Sequence, residues 1–155
     1  MIKHIDTRRM QSCGNVYRKC FPGCSSEDMK HYIIPSLSRK PDQVVIHVGT
    51  NDLKHVKDPR NLANNIIDLA NKAAGSEKRK VLVSGIICHC DSSLNNKING
   101  VNNLLKSFCQ RHSWSFIDNS NILSNHLNED GIHLNRKGTS VLVKSISSFT
   151  KYNPN

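Results

Sequence analysis

Short apolar runs alternate along the chain with longer stretches of helical periodicity. Residues 43–48, QVVIHV, form a β-branched run that ends in GTND, the pattern of a buried strand leaving through a turn. Residues 80–87, KVLVSGII, repeat that pattern, and residues 113–118, SWSFID, are a shorter and more polar version. Residues 15–20, NVYRKC, predict a fourth strand near an edge. Helical spacing fills the intervals. Ser25 and Asp28 stand at capping-box distance before Met29, Tyr32, Ile33 and Leu37, which recur on one face, and Pro35 is set to end or kink that helix. Asp58-Pro59 offers a cap followed by proline at the first helical position. Leu62, Ile66, Leu69, Ala70 and Ala73 then mark an apolar face, and Gly75 supplies the stop. Ile98, Val101, Leu104, Leu105 and Phe108 predict a third helix. Gly138 precedes a fourth, with Val141, Leu142, Ile146 and Phe149 facing inward.

Strand and helix therefore alternate, which predicts an α/β domain with a mainly parallel sheet and helices on both faces. Repeats, low-complexity tracts and interdomain linkers are absent from the sequence, so residues 1–150 read as one domain and the polar residues 151–155 as a frayed tail. A chain of 155 residues is long enough to bury a real core. No apolar run has the length needed to span a bilayer. The first residues lack the apolar stretch of a secretory signal, so the expected location is intracellular and cytoplasmic, without membrane attachment.

Composition changes this picture in two places. The net charge is +10, which raises affinity for nucleic acid or other anionic surfaces. The Lys and Arg residues are scattered, however, with small clusters at residues 78–80, Arg8–Arg9 and Arg136–Lys137, and aromatic residues make up only 5%, so a stacking platform for bases is poorly supported. Cysteines occupy positions 13, 20, 24, 88, 90 and 109. The CHC at 88–90 invites a metal reading, but Cys20 and Cys24 are the only other close pair, and buried or loop thiols are the plainer reading.

In a parallel α/β sheet, ligands bind outside the carboxyl ends of the strands. Three loops fall there. In GTND, Gly49 permits a tight exit, Asn51 offers a neutral side-chain donor, and Asp52 can support the turn. In EDGIHLN, Asp130 and His133 are three residues apart, which lets a carboxylate accept from the imidazole Nδ1–H and leaves Nε2 as a base. In CFPGCSS, Gly23 can turn its backbone N–H toward a cavity. Taken singly, each reads equally as ordinary turn chemistry.

Together, and in this chain order, the three blocks resemble those of the SGNH, or GDSL, hydrolase family. The resemblance implies a flavodoxin-like three-layer α/β/α sandwich that cleaves acyl esters without metal or organic cofactor. CFPGCSSEDM is similar to the block carrying the oxyanion glycine, which puts that role on Gly23. VVIHVGTNDL looks like the asparagine block, which puts the side-chain oxyanion donor on Asn51. EDGIHLNRKGTSVL resembles the final block, with Asp130 as the orienting carboxylate and His133 as the base. KINGVNNLLKSFC and FIDNSNIL further resemble domains encoded beside reverse transcriptases in animal retrotransposons.

The family's opening block, an apolar strand ending in Gly-Asp-Ser, has no match in this chain. By the resemblance, MIKHIDTRRM is the helix that follows the serine, and Met1 stands one residue after it. Ser12 lies beyond that helix, and Ser25, Ser26 or Cys24 beside Gly23 are the substitutes closest to the expected site. The first strand lies inside the sheet in the family, between the strands expected at 15–20 and 43–48, so its absence predicts unpaired strand edges or a closed-up sheet. The expectation is an ester-hydrolase domain lacking its nucleophile and inactive in this 155-residue form. The alternatives are a basic module that binds nucleic acid, or a truncated gene-model fragment.

Overall fold

The computed structural model describes residues 5–76 and 79–150. Three strands, β1 (Gln43–Ile46), β2 (Lys80–Ser84) and β3 (Ser115–Ile117), form one sheet in the order β1-β2-β3. Both pairings are parallel, with Val44 opposite Val81 and Val83 opposite Phe116. Four helices alternate with them: α1 (Met29–Ser36), α2 (Pro59–Ala74), α3 (Ser92–Arg111) and α4 (Arg136–Thr150). The expected α/β class and parallel sheet are therefore present.

The period-2 alternation of β2 divides the core. Val81 and Val83 face one side, where they pack with Leu62, Ile66 and Leu69 of α2 and Ile98, Val101 and Leu105 of α3. Leu82 faces the other side, with Ile117 of β3, Leu142 and Ile146 of α4, and Ile5 and Met10. All β2 residues but the first are buried, as a strand covered on both faces requires. Each fully buried leucine or isoleucine here contributes about 1.5–3 kcal/mol. The helix boundaries follow local chemistry. Asp58 caps α2 by accepting from the Arg60 amide at 2.9 Å, with Pro59 behind it, and Gly75 closes the helix at φ 57°. Ser25 and Asp28 form the reciprocal pair expected of them, and Pro35 sits in the last turn of α1.

Several expectations fail. Residues 15–20 form no strand. Val16 alone dips into the second cluster, Tyr17 is exposed beneath the Arg39 guanidinium at 4.3 Å, and Arg18 donates to the Ile5 carbonyl. Among the described residues no strand lies between this segment and β1, so its backbone has nothing to pair with. The opening helix is also absent as such. Residues 1–4 lie outside the described residues, and Thr7–Cys13 form 3-10 turns broken at Met10 (φ −112°, ψ 25°). The remaining strands are shorter than the apolar runs that predicted them. Tyr32, Leu104 and Phe149 turn outward; Tyr32 is held there by stacking on Phe21 at 4.7 Å. Gly138 lies inside the first turn of α4, where a side chain would strike the His126 carbonyl. The expected tail at 151–155 falls outside the described residues.

Candidate active site

The loop after β1 is built around Gly49, whose φ of 117° suits only glycine and whose missing Cβ admits the Ile86 side chain at 2.7 Å. Thr50–Asp52 form one 3-10 turn. Asp52 is buried and turns inward, accepting from the Ser26 amide at 3.0 and 3.1 Å and from the Ser26 hydroxyl at 2.7 Å. That anchor ties the Gly23 loop to the Asn51 loop. Asn51 points the other way. One N–H of its side-chain amide goes to the Cys24 carbonyl at 2.9 Å, and the second N–H of the same nitrogen has no partner among the described residues. Gly23 has open space where a side chain would stand.

The loop carrying Asp130 and His133 is closed on itself. Leu127 and Leu134 form an isolated antiparallel bridge, the Asn128 amide donates to the His133 carbonyl at 2.7 Å, and the Gly131 amide to the Asn128 carbonyl at 2.9 Å. Asp130 Oδ1 accepts from the amides of Ile132 and His133, each at 2.9 Å, and Oδ2 meets His133 Nδ1 at 2.6 Å. The two backbone amides and then the imidazole bring the Asp130 carboxyl down from 3.8 to about 2. With Nδ1 given to the carboxylate, Nε2 of His133 is left without a partner among the described residues, and the ring is 60% exposed. Asn135 fixes the loop's exit by donating to the carbonyls of Asn125 and Leu127 and accepting from the Gly138 amide at the start of α4.

A cavity of about 310 Å³ lies between these loops. Gly23, Thr50 and Asn51 form part of its wall, and so do His89 and Leu94 from beyond β2 and Ile132, the neighbour of His133. The structure thus brings Gly23 and Asn51 to one cavity with the His–Asp loop beside it. Gly49 and Asp52 lie behind the wall. The serines proposed as substitutes are otherwise engaged. Ser26 is buried on Asp52, and Ser25 donates its hydroxyl to Asp28 at 2.7 Å. Ser12 lies 3.9 Å from the Cys13 sulfur, and the bond that Asn51 makes at Cys24 is to its backbone carbonyl and not to its thiol.

Sequence reasoning missed the loop after β2. Asn102 accepts from the Ile86 amide and donates to its carbonyl, at 2.8 and 2.9 Å; seven residues earlier in α3, Asn95 does the same for His89, at 2.9 Å each way. The two asparagines lead the backbone along α3 as a neighbouring strand would. Cys90 then donates its amide to the Gly131 carbonyl at 3.0 Å, and its side chain occupies the space where a Gly131 Cβ would stand. The Gly131 φ of 66° adds a second reason for glycine. A repeated asparagine on one helix face was the available sequence signal. The CHC cysteines are used in packing: Cys88 bonds the Ile122 carbonyl and Cys90 meets Gly131. Among the described residues no cluster of three His, Cys, Asp or Glu side chains is placed to hold a metal.

Residues 13–141 match the model of the GDSL-like lipase/acylhydrolase family. The chain belongs to that family. No curated protein sequence matches it. Among solved structures, it is similar to an acetyl esterase variant holding acetate (TM-score 0.73, 22% identity, 82% of this chain and 66% of that one). It is also similar to TesA (0.74, 22%, 94% and 84%) and to a GDSL-like lipase of Bacteroides thetaiotaomicron (0.74, 18%, 83% and 71%). At these identities the likeness shows the fold. The GDSL-like domain described here spans just under two thirds of the acetyl esterase.

Proposed function

We propose that this domain is the acid–base and oxyanion-binding part of an ester hydrolase. What carries the reading is the 2.6 Å His133–Asp130 pair standing beside a cavity walled by Gly23 and Asn51. In the reaction, a serine hydroxyl attacks the acyl carbonyl while His133 Nε2 takes its proton. The Gly23 amide and the free N–H of Asn51 receive the oxyanion. Collapse of the tetrahedral adduct expels the alcohol, protonated by His133, and water repeats the sequence to release the acid. Asp130 holds the imidazole in the tautomer this requires. The nucleophile is assigned to no residue of the chain: no Gly-Asp-Ser occurs in it, and the serines nearest Gly23 are engaged elsewhere. The 155-residue form is therefore expected to be inactive.

Two forms are assayed on a short activated acyl ester: the 155-residue chain, and one preceded by a strand ending in Gly-Asp-Ser. Turnover in the longer form only, lost on His133→Ala, is the expected result. Equal activity in both would remove the missing-serine reading. In-frame coding sequence for Gly-Asp-Ser just before Met1 would mark the chain as part of a longer enzyme. The charge of +10 and the likeness to retrotransposon-encoded domains favour a second reading, association with nucleic acid. It predicts retention on RNA or DNA that falls steeply with salt, and retention already lost near physiological salt counts against it.

A further inference from the structure

The cavity wall carries three ionisable side chains that the ester-hydrolase reading leaves without a role, His89, Lys54 and His55, and the first two are held in place. His89 is a prepared donor. Its backbone is clamped on both sides by Asn95, at 2.9 Å each. Its Nδ1 accepts from the Asp91 amide at 2.9 Å, which places the ring proton on Nε2 and leaves Nε2–H as the donor available to a ligand. Lys54 is held by its neighbours' backbone. Lys97 of α3 donates to the carbonyls of Leu53 and Val56, at 2.8 and 2.6 Å, and so fixes the short segment that carries Lys54 and His55. Both of these residues also reach the cavity wall, whereas no carboxylate does. The nearest acidic groups are committed. Asp52 accepts from Ser26, Asp130 from its own loop, and Asp91 Oδ1 from the amide and hydroxyl of Ser93. The Ser93 hydrogen bonds, then His89 and then Lys54, hold the Asp91 carboxyl below its ordinary range, so both side chains lie on this side of the cavity.

We propose that this cavity selects esters bearing an anionic group, phosphoryl or carboxylate, which His89 Nε2–H and the Lys54 ammonium hold beside the scissile bond. The assignment names the substrate class for the ester-hydrolase reading and rests on it for the identity of the scissile bond. A neutral donor with a fixed tautomer supplies direction, and the ammonium supplies charge without a demanding geometry. Selection of this kind acts on the non-reacting part of the substrate and orients it for attack.

Binding tests this without turnover, so failure of the anion site and failure of the ester-hydrolase reading remain distinguishable. The 155-residue chain is titrated with inorganic phosphate and, separately, with acetate, while the His89 and His133 ring resonances are followed by NMR. Saturable shifts of the His89 ring are expected, with Kd raised at least fivefold by Lys54→Gln and by His89→Phe. His89→Gln, which keeps an N–H donor, should recover part of the loss, and Lys57→Gln, an exposed lysine outside the wall, should change nothing. Response to phosphate alone assigns a phosphoryl group, and response to acetate alone a carboxylate. No saturable response to either anion overturns the proposal. So does a Lys57→Gln effect equal to that of Lys54→Gln, which would mean diffuse attraction to a basic protein. Backbone amide spectra of each variant confirm that the fold is intact, and Lys54→Gln alone, an exposed change, carries the test if His89→Phe disturbs it.

Discussion

The carboxylate of Asp130 divides its two oxygens between turn and ring: Oδ1 closes the loop through two amides and Oδ2 orients His133. In a serine-bearing form, Asp130→Asn is expected to keep the fold and lower kcat by roughly 10³–10⁴-fold, because the amide favours the wrong imidazole tautomer. The pH dependence has a definite sign. The folded value of about 2 lies below the ordinary 3.8, so the loop's stabilisation is complete above about pH 4 and is lost as pH falls through 2. Carboxyl chemical shifts followed across that range check it. Gly131 belongs to the same constellation. Gly131→Ala pushes a methyl into Cys90 and forces a side chain into the left-handed region, so unfolding in denaturant should show a loss of about 1–3 kcal/mol. The pairing of Asp130 with His133 was legible because it joins residues three apart in one turn. His89 was not, since its placement depends on Asn95 and on a cavity wall assembled from four loops.

Loops rather than strands hold the site together. Asp52 is the buried anchor between the Gly23 and Asn51 loops, accepting three hydrogen bonds from Ser26, and the Asn51–Cys24 bond joins them at the surface. Asp52→Ala strands the Ser26 amide and hydroxyl without partners. It should cost about 2–4 kcal/mol in chemical denaturation and raise the hydrogen-exchange rate of the Gly23 loop. At this scale the sequence was read well where caps are local. The Ser25–Asp28 box, the Asp58 cap with Pro59, and the Gly75 stop all form as their residue types require. It was read badly where an element needs a distant partner. Residues 15–20 read as an edge strand, yet among the described residues no neighbouring strand is there to pair with them. Asn95 and Asn102 do the reverse, giving strand-like pairing to residues 86–89 that form no strand.

Across the molecule, β2 separates two apolar clusters, and a polar set sits at the sheet's carboxyl end between them. Asn119 donates to Ser84 Oγ at 2.9 Å, which leaves the Ser84 proton for His47 Nδ1 at 2.9 Å. Burial brings His47 down from 6.5 to about 4. The unfolded chain therefore binds a proton that the folded one refuses between those values, and stability must rise with pH across that window. We expect about 1–3 kcal/mol to be lost between pH 7 and pH 4 from this residue, with His47→Gln flattening the slope of unfolding free energy against pH. No helix among the described residues is long and apolar enough to cross a membrane.

The sequence by itself determined the α/β class, the four helices, the caps of the first two, and the residue types of the candidate site. These depend on periodicity and on contacts within a few residues, which a one-dimensional pattern records. Tertiary structure decided which apolar runs became strands, because a strand needs a paired neighbour that its own residues cannot supply. It also brought Gly23, Asn51 and the His–Asp loop to one cavity and added His89 and Lys54 to its wall. Those contacts join residues up to about a hundred positions apart, and only the packing of α3 and the sheet fixes which of them meet.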